Sequence, residues 1–241
     1  MKIRKLTLCA LAAALLASCA KQEGGVHFSV AQDLSLLELT RSQVSDYTDL
    51  PSGGDFEIVL SKSSGDEIYS GPLSLYDEST SLKAGNYSVK ATYGNVSSEG
   101  FDKPCFEGEK SFSITGGGST AVSIPVTLSN AIIKVSCTDL FKTYYPKYSF
   151  TVTTGGGTKI EFGQDETRAA FVDAYTISVA GTLTNQGGKT QTFSKDYKSY
   201  LSPKTCYTLK FDVSNVGGGK ITVKFDDTVD DVQLSDVELN D

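Results

Sequence analysis

Apolar residues stand at every second position through most of this chain, and a period of two is the mark of a strand with one buried face. Phe56, Ile58 and Leu60 share one face, Tyr87, Val89, Ala91 and Tyr93 another, and Val122, Ile124, Val126 and Leu128 a third. The pattern returns at Tyr148, Phe150 and Val152, at Tyr175, Ile177 and Val179, and at Ile221, Val223 and Phe225. A helix repeats every 3.6 residues and would scatter these side chains around its axis, so no stretch reads as a convincing helix. The runs are short and bounded by Gly- or Asn-containing turns. That predicts an all-β chain of antiparallel sandwiches and argues against a parallel sheet with helical crossovers.

An internal repeat divides the pattern. Phe112 and Ile114, Gly116-Gly117-Gly118, then Val122 and Ile124 are echoed by Phe211 and Val213, Gly217-Gly218-Gly219, then Ile221 and Val223. Upstream, Gly85-Asn86-Tyr87-Ser88-Val89 is matched by Asp173-Ala174-Tyr175-Thr176-Ile177 in the same order. Two similar sandwiches in tandem give this arrangement, with the boundary near Ser129-Asn130, almost no linker, and restricted freedom between the two.

The N-terminus carries a different signal. Lys2, Arg4 and Lys5 precede an apolar run from Leu6 to Leu16, and Leu16-Ala17-Ser18-Cys19 closes it. A basic start, a short apolar segment and small residues before a cysteine mark a lipoprotein signal peptide, too short to span a bilayer. The expected organisation is a signal over 1–18, a tether over 19–26 beginning at acylated Cys19, one sandwich over 27–129 and another over 130–241. Two or three acyl chains anchor a protein stably where one does not. Loss of residues 1–18 leaves 19 basic against 29 acidic residues, a net charge of −10. So acidic a surface repels the nucleic-acid backbone and anionic headgroups, which excludes nucleic acid as the expected partner and leaves membrane contact to the lipid.

Residues that could carry chemistry are few. His27 is the one histidine, so a two-histidine metal site is absent, and its expected role is that of a first-strand residue. The glycine triplets at Gly116, Gly155 and Gly217 lack the Lys-Ser/Thr of a phosphate loop and read as hairpin turns. Asp226, Asp227, Asp230 and Asp231 lack the spacing of a calcium loop and read as a solvated acidic stretch. No cofactor, metal site or catalytic residue is expected. With Cys9 in the signal and Cys19 lipidated, Cys105, Cys137 and Cys206 remain, and free thiols are the favoured reading. Cys137 continues the alternation of Ile133 and Val135 as a buried small hydrophobe, and Cys206 falls on the face opposite Tyr207, Leu209 and Phe211.

The stretch Phe56 to Val135, with Leu82-Lys83-Ala84-Gly85-Asn86-Tyr87, Gly100-Phe101-Asp102-Lys103-Pro104 and Phe106-Glu107-Gly108, resembles the uncharacterised tandem-domain lipoproteins of Bacteroidetes. Their architecture is similar to that of the fimbrillins, whose paired transthyretin-like (more broadly, immunoglobulin-like) sandwiches build or anchor surface fibres. Cys105 departs from the pattern, which has an aromatic there. Physics accounts for these motifs without chemistry: glycine and asparagine make the turn before Tyr87, and Pro104 ends ladder pairing. In fimbrillins an arginine-directed protease cuts after the first strand, and Thr40-Arg41-Ser42 occupies a similar place, although Arg41 also reads as an ordinary loop residue.

Two function classes follow. The first is a lipid-anchored outer-membrane protein, with the cell surface as one candidate face, that is structural or adhesive: a fimbrial anchor or accessory subunit whose partner adds a strand to a sheet edge, or whose loops meet a host ligand. The second is a glycan-binding surface lipoprotein for nutrient capture, against which the absence of Trp counts. An enzyme is not expected. Tyr144 and Tyr145, in an expected loop with Tyr148 just beyond, are the candidate partner-binding surface, since tyrosines are enriched where proteins meet partners. Asp227-Thr228-Val229 fits a short O-glycosylation pattern, placing Thr228 in a polar turn as a candidate modification site.

Overall fold

The computed structural model describes residues 23–36, 43–215, 220–225 and 228–233. It is all-β. The strands are β1 (Glu23–Asp33), β2 (Glu57–Lys62), β3 (Glu67–Pro72), β4 (Leu82–Lys83), β5 (Gly85–Tyr93), β6 (Gly100–Phe101), β7 (Phe106–Ile114), β8 (Ser119–Leu128) and β9 (Ala131–Cys137). After a single-turn helix, α1 (Asp139–Tyr144), come β10 (Lys147–Thr154), β11 (Lys159–Phe162), β12 (Ala170–Val172), β13 (Ile177–Thr184), β14 (Thr190–Tyr197), β15 (Cys206–Asn215), β16 (Lys220–Phe225) and β17 (Thr228–Gln233).

The first sheet runs β3-β2-β5-β7-β8-β1-β4. Strands β7 and β8 pair only at Phe106–Leu128 and Glu107–Thr127. Beyond that they cross so closely that a Cβ on Gly108 would lie 1.8 Å from the Pro125 carbonyl oxygen, so only glycine fits. The sheet divides there into two leaves, β3-β2-β5-β7 and β8-β1-β4. Ile58, Leu60, Val89 and Phe106 of one leaf share a core with Val26, Val122, Ile124 and Val126 of the other. The Gly116 triplet therefore turns a corner between leaves and does not close the expected hairpin. The Gly155 triplet does close one, between β10 and β11, and the Gly217 triplet lies outside the described residues.

Two further sheets, β11-β10-β13-β14 and β17-β16-β15-β9-β12-β6, enclose a second core. Phe150 of β10 stacks on Phe211 of β15, ring centroids 3.8 Å apart. Opposite Phe193 on β14, β13 carries Gly181, whose missing side chain leaves the space the Phe193 ring fills. Among the described residues pairing is antiparallel except at two places: β1 lies parallel to β8, and β9 parallel to β15. Periodicity reports which face a strand buries and is silent on its partner's direction, so the parallel pairs were not foreseen.

Strand β12 and the first three residues of β9 bury both faces. Ala131, Ile133, Ala170 and Val172 belong to the second core, whereas Ile132 and Phe171, with Ala169 and Cys206, belong to the first. They form a wall common to the two cores. Strand β6 reinforces it from the N-terminal side by pairing with β12, Phe101 against Ala170 and Gly100 against Phe171. At Ser129-Asn130 the chain is held tightly. The Ser129 N–H donates to the Cys105 carbonyl at 2.7 Å, the fully buried Asn130 accepts the Cys105 N–H on its side chain, and its carbonyl accepts the Lys204 N–H at 2.9 Å.

Two sequence expectations need correction. Strand β1 begins at Glu23 with Val26 fully buried, so residues 23–26, expected in the tether, are part of the fold. Residues 139–144 form a helix where none was expected. Thr138 caps it by accepting the Phe141 N–H at 3.2 Å, and Phe141 and Tyr144 turn inward together.

Candidate binding surface

Of the three tyrosines expected at the surface, two lie inside the second core. Tyr144 is 6% exposed and Tyr145 fully buried, their rings edge to face at 4.7 Å, because the last turn of α1 points them inward. The expected exposed loop is therefore absent here, and with it a surface made by Tyr144 and Tyr145. Burial pushes the Tyr145 phenol up to about 12. Tyr148 is half-buried on β10. It interacts with Cys137, and burial raises both groups, to about 12 for the phenol and about 11 for the thiol. It borders an open cleft of about 340 Å³ with Lys134, Lys142 and Gln164.

The exposed rings stand elsewhere. Tyr175 is 50% and Tyr200 73% exposed, and they meet edge to face with centroids 6.3 Å apart. Neither is in a strand: Tyr175 precedes β13 and Tyr200 follows β14. The two segments are tied together, since the Leu201 N–H donates to the Tyr175 carbonyl at 3.1 Å and the Leu201 side chain is buried in the second core. Gly155 leaves room for Tyr175, because a Cβ there would come within 2.8 Å of the tyrosine's own Cβ. Beside the rings, the ends of β10, β13 and β14 enclose a cleft of about 370 Å³ lined by Thr153, Thr154, Thr176, Ser178, Asp196 and Lys198, with the buried Tyr197 also on its wall.

This end of the sheet is braced from the N-terminal half. Glu99, only 7% exposed, accepts the Thr154 hydroxyl on one carboxylate oxygen and the Asp173 N–H, at 2.9 Å, on the other. Asp173 in turn accepts the Tyr175 N–H at 2.8 Å. Sequence reasoning placed Tyr175 on a core face because it keeps step with Ile177 and Val179. The Asp173-Ala174 turn directly before it was the signal that the strand starts later, and Tyr200, between serines and ahead of Pro203, sits in a stretch that reads as loop.

His27 is in β1 as expected, its Nδ1 2.8 Å from Glu78 on the surface. Cys105, Cys137 and Cys206 form no disulfide. Cys105 and Cys206 are buried and Cys137 partly so, and burial raises the Cys105 thiol as it does Cys137. Cys19 and Arg41 lie outside the described residues. Thr228 opens β17 opposite Phe225, at a strand start and not within the turn. Among the described residues no three metal-binding side chains gather, and no helix is long and apolar enough to cross a membrane.

A family model described as a domain of unknown function, DUF4493, matches residues 22–241. No curated protein matches the sequence. Among solved structures the chain is similar to a candidate cell adhesion protein from Bacteroides fragilis, at 11% identity and a TM-score of 0.45, covering 90% of this chain and 99% of that one. It is similar also to the fimbrial anchor protein Mfa2 from Porphyromonas gingivalis, at 8% identity and a TM-score of 0.42, covering 86% and 98%. A third, described as a candidate polysaccharide binding protein from Bacteroides thetaiotaomicron, shows 12% identity and a TM-score of 0.45, covering 88% and 98%.

Proposed function

Since this chain belongs to the DUF4493 family, we propose its role from its own geometry: a lipid-anchored protein of the outer membrane that acts by binding and not by turnover, in an adhesive or structural capacity. The observation that carries this reading is the tyrosine pair. Large rings elsewhere in the fold are mostly buried, whereas Tyr175 and Tyr200 face solvent from two segments that a backbone hydrogen bond, Leu201 N–H to the Tyr175 carbonyl, ties together. Rigid, exposed aromatics supply contact area at low entropic cost.

The anchor rests on Leu16-Ala17-Ser18-Cys19. With β1 starting at Glu23, three residues separate the acylated cysteine from the fold, a reach of about 14 Å from Cys19 to Glu23 fully extended, so the protein would sit against the bilayer. An accessory or base subunit of a fibre is the structural form of the same reading. Among the described residues no strand pairs with the outer side of β14, whose eight residues offer a partner strand an edge. Cleavage after Arg41 would remove β1 from β8, and glycosylation at Thr228 would add bulk at the start of β17; an intact-mass measurement of protein from cells reads both.

The test is adherence. Cells carrying the wild-type chain and cells carrying Tyr175→Ser/Tyr200→Ser, matched for surface amount, are compared for attachment to host tissue or to other bacteria. Loss of attachment in the variant supports the reading, and equal attachment overturns it for this surface. For the anchor, Cys19→Ala should leave unprocessed precursor that no longer partitions into detergent; normal partitioning removes the lipid.

A further inference from the structure

We propose that the cleft at the ends of β10, β13 and β14 binds a neutral carbohydrate, with the sugar ring laid on Tyr175 and Tyr200. The inference rests on the adhesive reading and names the ligand class of that surface.

Three features of the cleft select this chemistry. The first is the pair of rings beside the lining, Tyr175 directly before the lining residue Thr176 and Tyr200 shortly after Lys198, which offers a sugar's C–H face an aromatic platform with two stacking directions from its edge-to-face geometry. The second is the lining. Thr153, Thr154, Thr176 and Ser178 bring hydroxyls that both donate and accept, as sugar hydroxyls do. The third is the charge. Asp196 and Lys198 place one carboxylate and one ammonium on the same wall, and neither has an ion-pair or hydrogen-bond partner among the described residues. A carboxylate accepts from two adjacent hydroxyls and an ammonium donates to others, while the two charges cancel, so nothing in the cleft favours an anionic or a cationic ligand.

Size and surroundings agree. A cleft of about 370 Å³ lies near the small end of ligand sites, which run from about 300 to 1,000 Å³. A protein partner would need a broader apolar centre to its interface than the two exposed rings and the Ile177 and Tyr197 side of this small cleft provide. Nucleic acid is disfavoured by the net charge of −7. The site is also built to hold its shape. Gly155 seats Tyr175, Leu201 anchors the Tyr200 loop, and Glu99 fixes Thr154 together with the Asp173 turn. Glu99 touches no ligand in this scheme and is a positioning residue.

The experiment uses the detergent-solubilised full chain on a printed array of neutral oligosaccharides alongside uronic-acid and sialylated ones, with affinities for retained glycans measured by tyrosine fluorescence, which no tryptophan obscures. The expected result is retention of neutral glycans, at least a tenfold loss in Tyr175→Ser/Tyr200→Ser with an unchanged melting temperature, and a loss of similar size in Asp196→Asn. Glu99→Gln should weaken binding without changing which glycans are retained. Equal binding by the folded tyrosine variant overturns the site, and retention confined to acidic glycans overturns the ligand class. If no glycan is retained while the same variant still abolishes cell attachment, the carbohydrate falls and the adhesive reading stands.

Discussion

The guanidinium of Arg168 lies over the ring of Phe101, 4.6 Å from its centroid, and so fastens the loop before β12 to β6, the two-residue strand that the N-terminal half lends to the six-stranded sheet. The same arginine donates to Asp102 at 2.9 Å and to Glu166 at 2.8 Å, which holds the Glu166 carboxyl below its ordinary range. Half of its side chain is in solvent, so the contribution is modest. Arg168→Leu should lower stability slightly, through loss of the cation–π contact and the screened ion pairs together. Arg168→Lys should not restore the loss, because an ammonium cannot serve two carboxylates while lying flat on a ring. Urea denaturation of the three proteins checks this.

The common wall predicts one unfolding event for the whole chain. Phe171 is fully buried and belongs to the first core although it stands in β12. Phe171→Ala should therefore cost about 3–5 kcal/mol and lower a single calorimetric transition without splitting it. Two well-separated transitions in the wild type would show that the cores melt independently. A fragment of residues 130–241, lacking β6 and exposing Ile132 and Phe171, should melt below the intact chain.

The hydroxyl of Tyr145 is buried and has no hydrogen-bond partner among the described residues. Leaving a polar group unpaired inside a core costs about 1–3 kcal/mol, so Tyr145→Phe should raise the melting temperature. Tyr145→Ala should lower it sharply, by about 3–5 kcal/mol of stability. A fall in the phenylalanine variant would mean that the hydroxyl finds a partner in solution.

Acid should loosen the contact between the halves at one identifiable point. Lys204 donates to Asp33 at 2.8 Å and, with two hydrogen bonds from Ser35, brings the Asp33 carboxyl down to about 2 from 3.8. A carboxyl lowered by folding stabilises above its unfolded value and loses that contribution as pH falls through the folded one. The window is thus about pH 4 down to 2. Both groups touch solvent, so the effect is small. Asp33→Asn should flatten the pH dependence of melting in that window and leave the curve above pH 5 parallel to wild type.

Periodicity revealed the strands because each has one face on a core, as with Ile58 and Leu60 in β2 or Val122, Ile124 and Val126 in β8. It failed where that premise fails. In β12 and the first three residues of β9 both faces are buried, so Ile132 and Phe171 carry no alternation that would assign them to a core on the other side of the boundary. The tyrosines inverted for a similar reason. Tyr144-Tyr145-Pro146 looks like loop by composition, but the capping Thr138 starts a helix that turns both rings inward, while Tyr175 keeps strand spacing one step before its strand begins. The cleft beside Tyr175 was illegible because it joins residues from three strands and is braced by Glu99, which comes from the other half of the chain.

The wall built from β9 and β12 also sets an order of events during biosynthesis. A chain that emerges N-terminus first has made β1 to β8 well before Phe171 and Cys206 exist to close the core those strands begin. Until nearly the last strands are synthesised, that core stays open on one side with its apolar residues exposed, the condition in which nascent chains aggregate. Domain-by-domain completion is not available to it. On the proposed reading of Leu16-Ala17-Ser18-Cys19 as an export signal, postponing closure until the chain is almost complete would leave it competent for export for most of its synthesis.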